Sequence, residues 1–99
     1  MIRHVVSWTL TDQARSDRTG TLDEMRRRLE PLVGLVPGLR NLWVGADLGV
    51  AQSNWDVVLI SEHDSAEALQ DYQDHPAHLE AVAYVKTVVT ERACVDVEV

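Results

Sequence analysis

Among the side chains that can move a proton near neutral pH or steady a charged oxygen, four stand out: His4, Tyr72, His75 and His78. Three of them fall in one short stretch, Asp71-Tyr72-Gln73-Asp74-His75-Pro76-Ala77-His78. Imidazole titrates near pH ~6.5, so His78 can take or give a proton at working pH. A phenol can donate to a developing oxyanion, and Tyr72 is the natural partner for His78. Tyr72 and His78 stand on opposite sides of His75, each three residues from it. On a helix such spacing puts side chains on one face, although Pro76 breaks the register. Neither residue makes a case alone. A structural reading stands beside the chemical one: His78 could bond a backbone carbonyl, and Tyr72 could be an amphipathic core residue.

Proline has a fixed φ and no N–H, so Pro76 suits a first helical turn and disfavours a helical His75 before it. The stretch therefore reads as helix end, corner, helix start, with His75 at or next to the N-cap of the second helix. Upstream, Asp64 or Ser65 can cap the first of these helices. Leu69 and Tyr72 lie on its inner face. Downstream, Leu79, Val82, Ala83 and Lys86 are expected to share a face, the helix running to about Val88 or Val89.

The remaining elements must position this corner. Arg3 to Leu10 reads as a strand with His4, Val6, Trp8 and Leu10 on one face. His4 there is either a satisfied histidine or a ligand contact. Thr11 to Gly20 is polar and reads as a loop or irregular first turn. Thr21-Leu22-Asp23-Glu24 matches a capping box, and Leu22, Met25, Leu29, Leu32 and Val33 recur at helical spacing. Pro31 should tighten the last turn and Gly34 cap it. Val36-Pro37-Gly38 turns the chain. Leu39 to Ala46, Trp55 to Glu62 and Glu91 to Val99 read as strands, which places Trp43 and Trp55 on strands too. In the last strand Ala93, Val95, Val97 and Val99 point to something apolar. His63 is expected at an exposed strand end.

Val57-Val58-Leu59-Ile60 is apolar without alternation, so both faces of that strand are expected to be covered. Helices cover one face; the obvious cover for the other is a second copy of the chain. The element order, strand, helix, strand, strand, broken helix, strand, is the split βαβ arrangement. It gives a four-stranded antiparallel sheet with helices on one face, an α+β fold.

The motifs also resemble a known family. Tyr72-x-x-His75-Pro76-x-His78, the opening Met1-Ile2-Arg3-His4-Val5-Val6, the turn Val36-Pro37-Gly38-Leu39 and the ending Val95-Asp96-Val97 resemble the stress-responsive A/B barrel (Dabb) family, in order over essentially the whole chain. The resemblance implies a single domain over residues 1–99 with a ferredoxin-like βαββαβ fold, paired into a dimeric α/β barrel. It does not fix one function, since the family includes plant stress proteins, a plant polyketide cyclase and bacterial members without a known role. In the cyclase branch the histidine matching His78 is the base, the tyrosine matching Tyr72 supports the substrate carbonyl, and His4 matches a pocket-lining position. The chain departs from that branch where bulky aromatics line the plant pocket. Here Leu22, Met25 and Leu29 stand on the first helix, and Leu79, Glu80, Ala81 and Val82 follow His78, so Glu80 would bring a carboxylate to the pocket mouth. The related antibiotic-biosynthesis monooxygenases are a poorer match, their Asn/Trp-centred patterns being absent.

Three functions follow. The first is a homodimer that binds a small apolar or aromatic molecule against His4, Val6, Trp8, Leu69, His75 and Leu79. The second is a cofactor-independent cyclase or lyase with His78 as base and Tyr72 as oxygen-orienting group. The third is a purely structural stress protein with a filled interior. Composition excludes other classes. With a net charge of −7 and Arg26-Arg27-Arg28 as the one basic run, the 99-residue chain lacks the clustered cations that bind nucleic acid or anionic membranes. No apolar stretch approaches the ~20 residues of a membrane span, and no signal-peptide pattern opens the chain. Cys94 is the single cysteine, so no internal disulfide forms and a cytoplasmic setting is expected. No metal site is expected, because His75-x-x-His78 across a corner is no metal spacing and H-E-x-x-H and C-x-x-C are absent. Nucleotide and acyl-enzyme motifs are absent as well, and no cofactor is called for.

Overall fold

The structure, a computed structural model, describes residues 1–99. The order is β1 (Ile2–Leu10), α1 (Asp12–Ser16), α2 (Arg18–Leu29), a 3-10 helix (Glu30–Gly34), β2 (Leu39–Ala46), β3 (Val57–His63), α3 (Ala66–Asp74), α4 (Pro76–Val88) and β4 (Val89–Glu98). The four strands form one antiparallel sheet in the order β2-β3-β1-β4. This is the ferredoxin-like α+β fold.

Period-two burial organises the sheet. His4, Val6, Trp8 and Leu10 of β1 and Val57, Leu59, Ser61 and His63 of β3 are buried on the helix side. Between them and the helices lies the core, which includes Leu22, Met25 and Leu29 of α2, Leu69 and Tyr72 of α3 and Ala81 and Val85 of α4. The opposite face is open. Cross-strand pairing runs one row across it, Trp43, Ile60, Val5, Val95. Ile60 and Val5 are only half-buried, and Trp43 and Val95 are exposed. The alternating burial of Val57-Val58-Leu59-Ile60 thus leaves Val58 and Ile60 on that open face rather than covered within one chain.

Several local expectations are corrected. Of the two readings of Thr11 to Gly20, loop or irregular helical turn, the structure takes the helical one and extends it: Thr11 caps α1 by accepting from the Ala14 amide at 3.1 Å, and Asp17 caps α2 by accepting from Gly20. Thr21 and Glu24 are therefore inside α2 and form no capping box. The Thr21 hydroxyl instead donates to the Ala14 carbonyl, and Glu24 pairs with Arg27 and Arg28. The strong caps upstream started the helix earlier than the box signal. Trp55 precedes β3 in a loop, because Asp56 ends that loop by accepting from the Leu10 amide at 2.8 Å and pairing with Arg15. Gly38 sits at φ 82°, a left-handed conformation that favours glycine, so the Val36-Pro37-Gly38 turn can deliver β2 directly.

Candidate functional site

His75 is extended and its Nδ1 accepts from the Ala77 amide at 3.0 Å, so it is the N-cap of α4. Ser65 caps α3 in the same way. Between these caps the chain turns once and brings Tyr72, from the last turn of α3, against His78, from the first turn of α4. Their ring centroids are 4.3 Å apart. His4 approaches Tyr72 from β1 at 6.3 Å, and His63 from β3 at 4.8 Å. The phenol is thus ringed by three imidazoles, each delivered by a different element.

The hydrogen bonds choose tautomers. His78 Nδ1 lies 3.2 Å from the Gln73 carbonyl, which can only accept, so Nδ1 carries the proton and Nε2 holds the free lone pair. His4 Nδ1 lies 2.5 Å from Asp96 Oδ1 and donates to it, which leaves its Nε2 unprotonated in the neutral ring. Burial lowers the His78 pKa below the ordinary histidine value, against the opposing pull of the Gln73 carbonyl. Burial also pushes the Tyr72 phenol well above its usual range, so it remains a donor. A neutral imidazole with a free nitrogen therefore stands beside a protonated phenol, groups whose chemistry suits a base and an oxyanion donor.

Tyr72, His78 and His4 open on a cavity of about 440 Å³ between α4 and the β1–β4 part of the sheet. Its middle is apolar, made by Val6, Leu29, Leu59, Val82 and Val85. Trp8, Thr90, Lys86 and Arg92 also line it. The lining and its size suit a small organic molecule.

The Stress responsive A/B Barrel Domain family model matches residues 2–99. The chain belongs to the Dabb family. A dimeric protein of unknown function and ferredoxin-like fold from Bacteroides fragilis is 25% identical, with a TM-score of 0.87 over 99% of this chain and 95% of its own. A dimeric ferredoxin-like protein of unknown function from Thermobifida fusca is 30% identical, with a TM-score of 0.83 over 99% of this chain and 90% of its own. Hydroxynitrile lyase from Passiflora edulis, 16% identical, has the same fold with a TM-score of 0.80, covering 99% of this chain and 92% of its own. No curated protein matches the chain.

Within this Dabb fold the eight residues singled out from sequence divide. His4, Val6, Trp8, Tyr72 and His78 line the cavity. Leu69, His75 and Leu79 do not. Leu69 is buried in the core against other side chains. The His75 ring is committed to its cap. Leu79 is 55% exposed, because α4 restarts its phase at Pro76 and turns Ala81, Val82 and Val85 inward instead. Glu80 is exposed and stands on a separate groove beside Arg28 and Pro31, so it brings no carboxylate to the mouth.

Other residues of the site escaped sequence reasoning. His63, expected to be exposed, is fully buried; its Nε2 bonds Ser61 Oγ at 2.8 Å and its Nδ1 has no partner. Strand parity with Val57, Leu59 and Ser61 was the available signal. Asp96 gives none, since only the β1–β4 register places it opposite His4. That register also reverses the last strand: Arg92, Cys94 and Asp96 share the face of Trp8, Val6 and His4, while Val95 and Val97 lie on the open face. His4, Cys94 and Asp96 put possible metal-binding atoms within 4.8 Å of one another. The 2.5 Å between His4 Nδ1 and Asp96 Oδ1 is hydrogen-bond spacing. Two ligands bonded to one tetrahedral zinc at ~2.0–2.1 Å stand ~3.3 Å apart.

Proposed function

We propose that this Dabb protein is a homodimer that binds a small apolar or aromatic molecule in the cavity between its helices and its sheet. The observation that carries this reading is the cavity itself, about 440 Å³ with apolar walls, onto which Tyr72, His78 and His4 converge. A purely structural protein has no use for an apolar cleft left uncovered between its helices and its sheet. Pairing through the open sheet face is supported by the Trp43-Ile60-Val5-Val95 row and by the dimeric relatives from Bacteroides fragilis and Thermobifida fusca. A cytoplasmic location fits the free thiol of Cys94.

Proton transfer at the same site is the second reading, favoured by the free Nε2 of His78. A bound carbonyl compound would lose a proton from its α-carbon to His78 Nε2. The electron pair would move to the carbonyl oxygen, where the Tyr72 hydroxyl donates to the enolate. Ring closure by attack on a second carbonyl, or cleavage, would follow without a cofactor.

Titration calorimetry with a panel of phenols and β-diketones tests both. Binding to the wild type that is weakened about tenfold or more in Tyr72→Phe or His78→Ala is the expected result. Failure of the whole panel to bind would overturn the pocket. If a bound β-diketone exchanges its α-hydrogens with D₂O faster on wild type than on His78→Ala, the enzyme reading gains; equal rates would reject His78 as base.

A further inference from the structure

We infer, on the basis of the pocket reading above, that the molecule this cavity takes is a carboxylate, its anionic head held between Lys86 and Arg92 and its apolar body reaching toward Tyr72 and His78. The chain is strongly acidic, with 16 Asp and Glu against 9 Lys and Arg. In such a chain a carboxylate is easily at hand for every cation. Arg3, Arg15, Arg26, Arg27, Arg28 and Arg40 all have one within ion-pair distance. Arg18 is spent on the carbonyls of Asp47 and Asp56. The two cations left without a carboxylate are Lys86 and Arg92, and both line the cavity. None of the 14 lining residues is acidic. Asp96, further along β4 on the same face, is committed to His4. Against a net charge of −7, the cavity thus holds two cations with no carboxylate at ion-pair distance, Asp96 acting on Arg92 only from farther off.

The position of the pair sets the shape of the ligand. Arg92 is the cross-strand partner of Trp8, as Asp96 is of His4. Along β1 the step from His4 to Trp8 spans ~13 Å at ~3.3 Å per residue. Along α4 the step from His78 to Lys86 spans ~12 Å at ~1.5 Å per residue. Both are main-chain steps, and the Arg92 guanidinium itself lies against the Cys94 thiol and within electrostatic reach of His78. A para-substituted aromatic ring carrying a carboxylate on a short chain suits the apolar lining of the cavity and its two cations.

The test compares 3-(4-acetylphenyl)propanoate with its primary amide by titration calorimetry on the full chain. The expected result is that the carboxylate binds about tenfold more tightly at low salt. That advantage should shrink as salt rises from ~0.05 to ~0.5 M. It should vanish in the Lys86→Gln, Arg92→Gln double variant while the amide keeps its affinity. Circular dichroism checks that the variant is folded. Equal affinity of acid and amide overturns the inference and leaves the neutral-ligand pocket standing. A carboxylate advantage that survives in the double variant overturns it too, since the anion is then held elsewhere. If neither compound binds, the inference and the pocket reading fall together.

Discussion

At the scale of single residues, the unusual feature is a buried histidine that nothing balances. His63 is fully enclosed with one ring nitrogen unpartnered. Burial, reinforced by His4, lowers its pKa from 6.5 to about 4. The unfolded chain takes up the proton first as pH falls, so unfolding binds more protons and stability rises with pH across that window. The contribution of His63 is intact above about 6.5, is lost between there and about 4, and levels off below. At full extent it is worth ~3 kcal/mol. His78, also lowered by burial, adds a slope of the same sign. Urea denaturation at a series of pH values should show this slope in the wild type and a clearly flatter one in His63→Gln. An unchanged slope would mean that His63 does not titrate with unfolding. His4 differs because Asp96 occupies its Nδ1. Removing that acceptor with Asp96→Ala should leave a buried N–H unpaired and cost ~1–3 kcal/mol. Thermal unfolding of the variant measures that loss.

At the scale of elements, the site depends on where α4 begins. The His75 cap and Pro76 start the helix, and the first turn then carries His78 to Tyr72. Replacing the cap by His75→Ala should cost about 1 kcal/mol, while His75→Asn, a strong cap residue, should restore most of it. Melting curves of the two variants decide the matter, and equal melting temperatures would refute the cap. Much of this was legible in sequence because it is local. The proline corner, the Tyr72–His78 pair and the period-two face of β1 all follow from neighbours within a few residues. What was not legible arises from phase and register. Leu79, Val82, Ala83 and Lys86 share a face in the sequence pattern, but the buried face of α4 is carried by Ala81 and Val85, and Leu79 and Lys86 are both exposed. Asp96 and Arg92 face His4 and Trp8 only through strand pairing across more than 80 residues of chain, which no local pattern encodes. The early start of α2 was hidden because the stronger-looking capping box stood one turn downstream.

At the scale of the whole molecule, the open sheet face carries the association prediction. Its apolar row is flanked by a polar one in which Arg3 and Asn41 both bond Glu62. Trp43 lies flat because Gly45 has no Cβ, and one added there would fall 2.3 Å from the indole. Light scattering after gel filtration should give twice the 11.1 kDa chain mass for the wild type. Ile60→Lys, which sets a charge in the middle of the row, should return the monomer mass. A wild type that elutes as a monomer would reject pairing through this face. The order β2-β3-β1-β4 has a further effect, on the time at which the cavity first exists. The strand that opens the chain is central, and its neighbour β4 closes it, so His4 meets Asp96 across 92 residues. Loop closure of that length makes such contacts late and slow in folding. A chain still emerging from the ribosome can form the β2–β3 hairpin and the α3–α4 corner, yet the wall bearing Asp96 and Arg92 is missing until the last strand docks. Ligand binding is therefore withheld from every nascent form that lacks β4 and from every partly folded form in which β4 has not docked on β1.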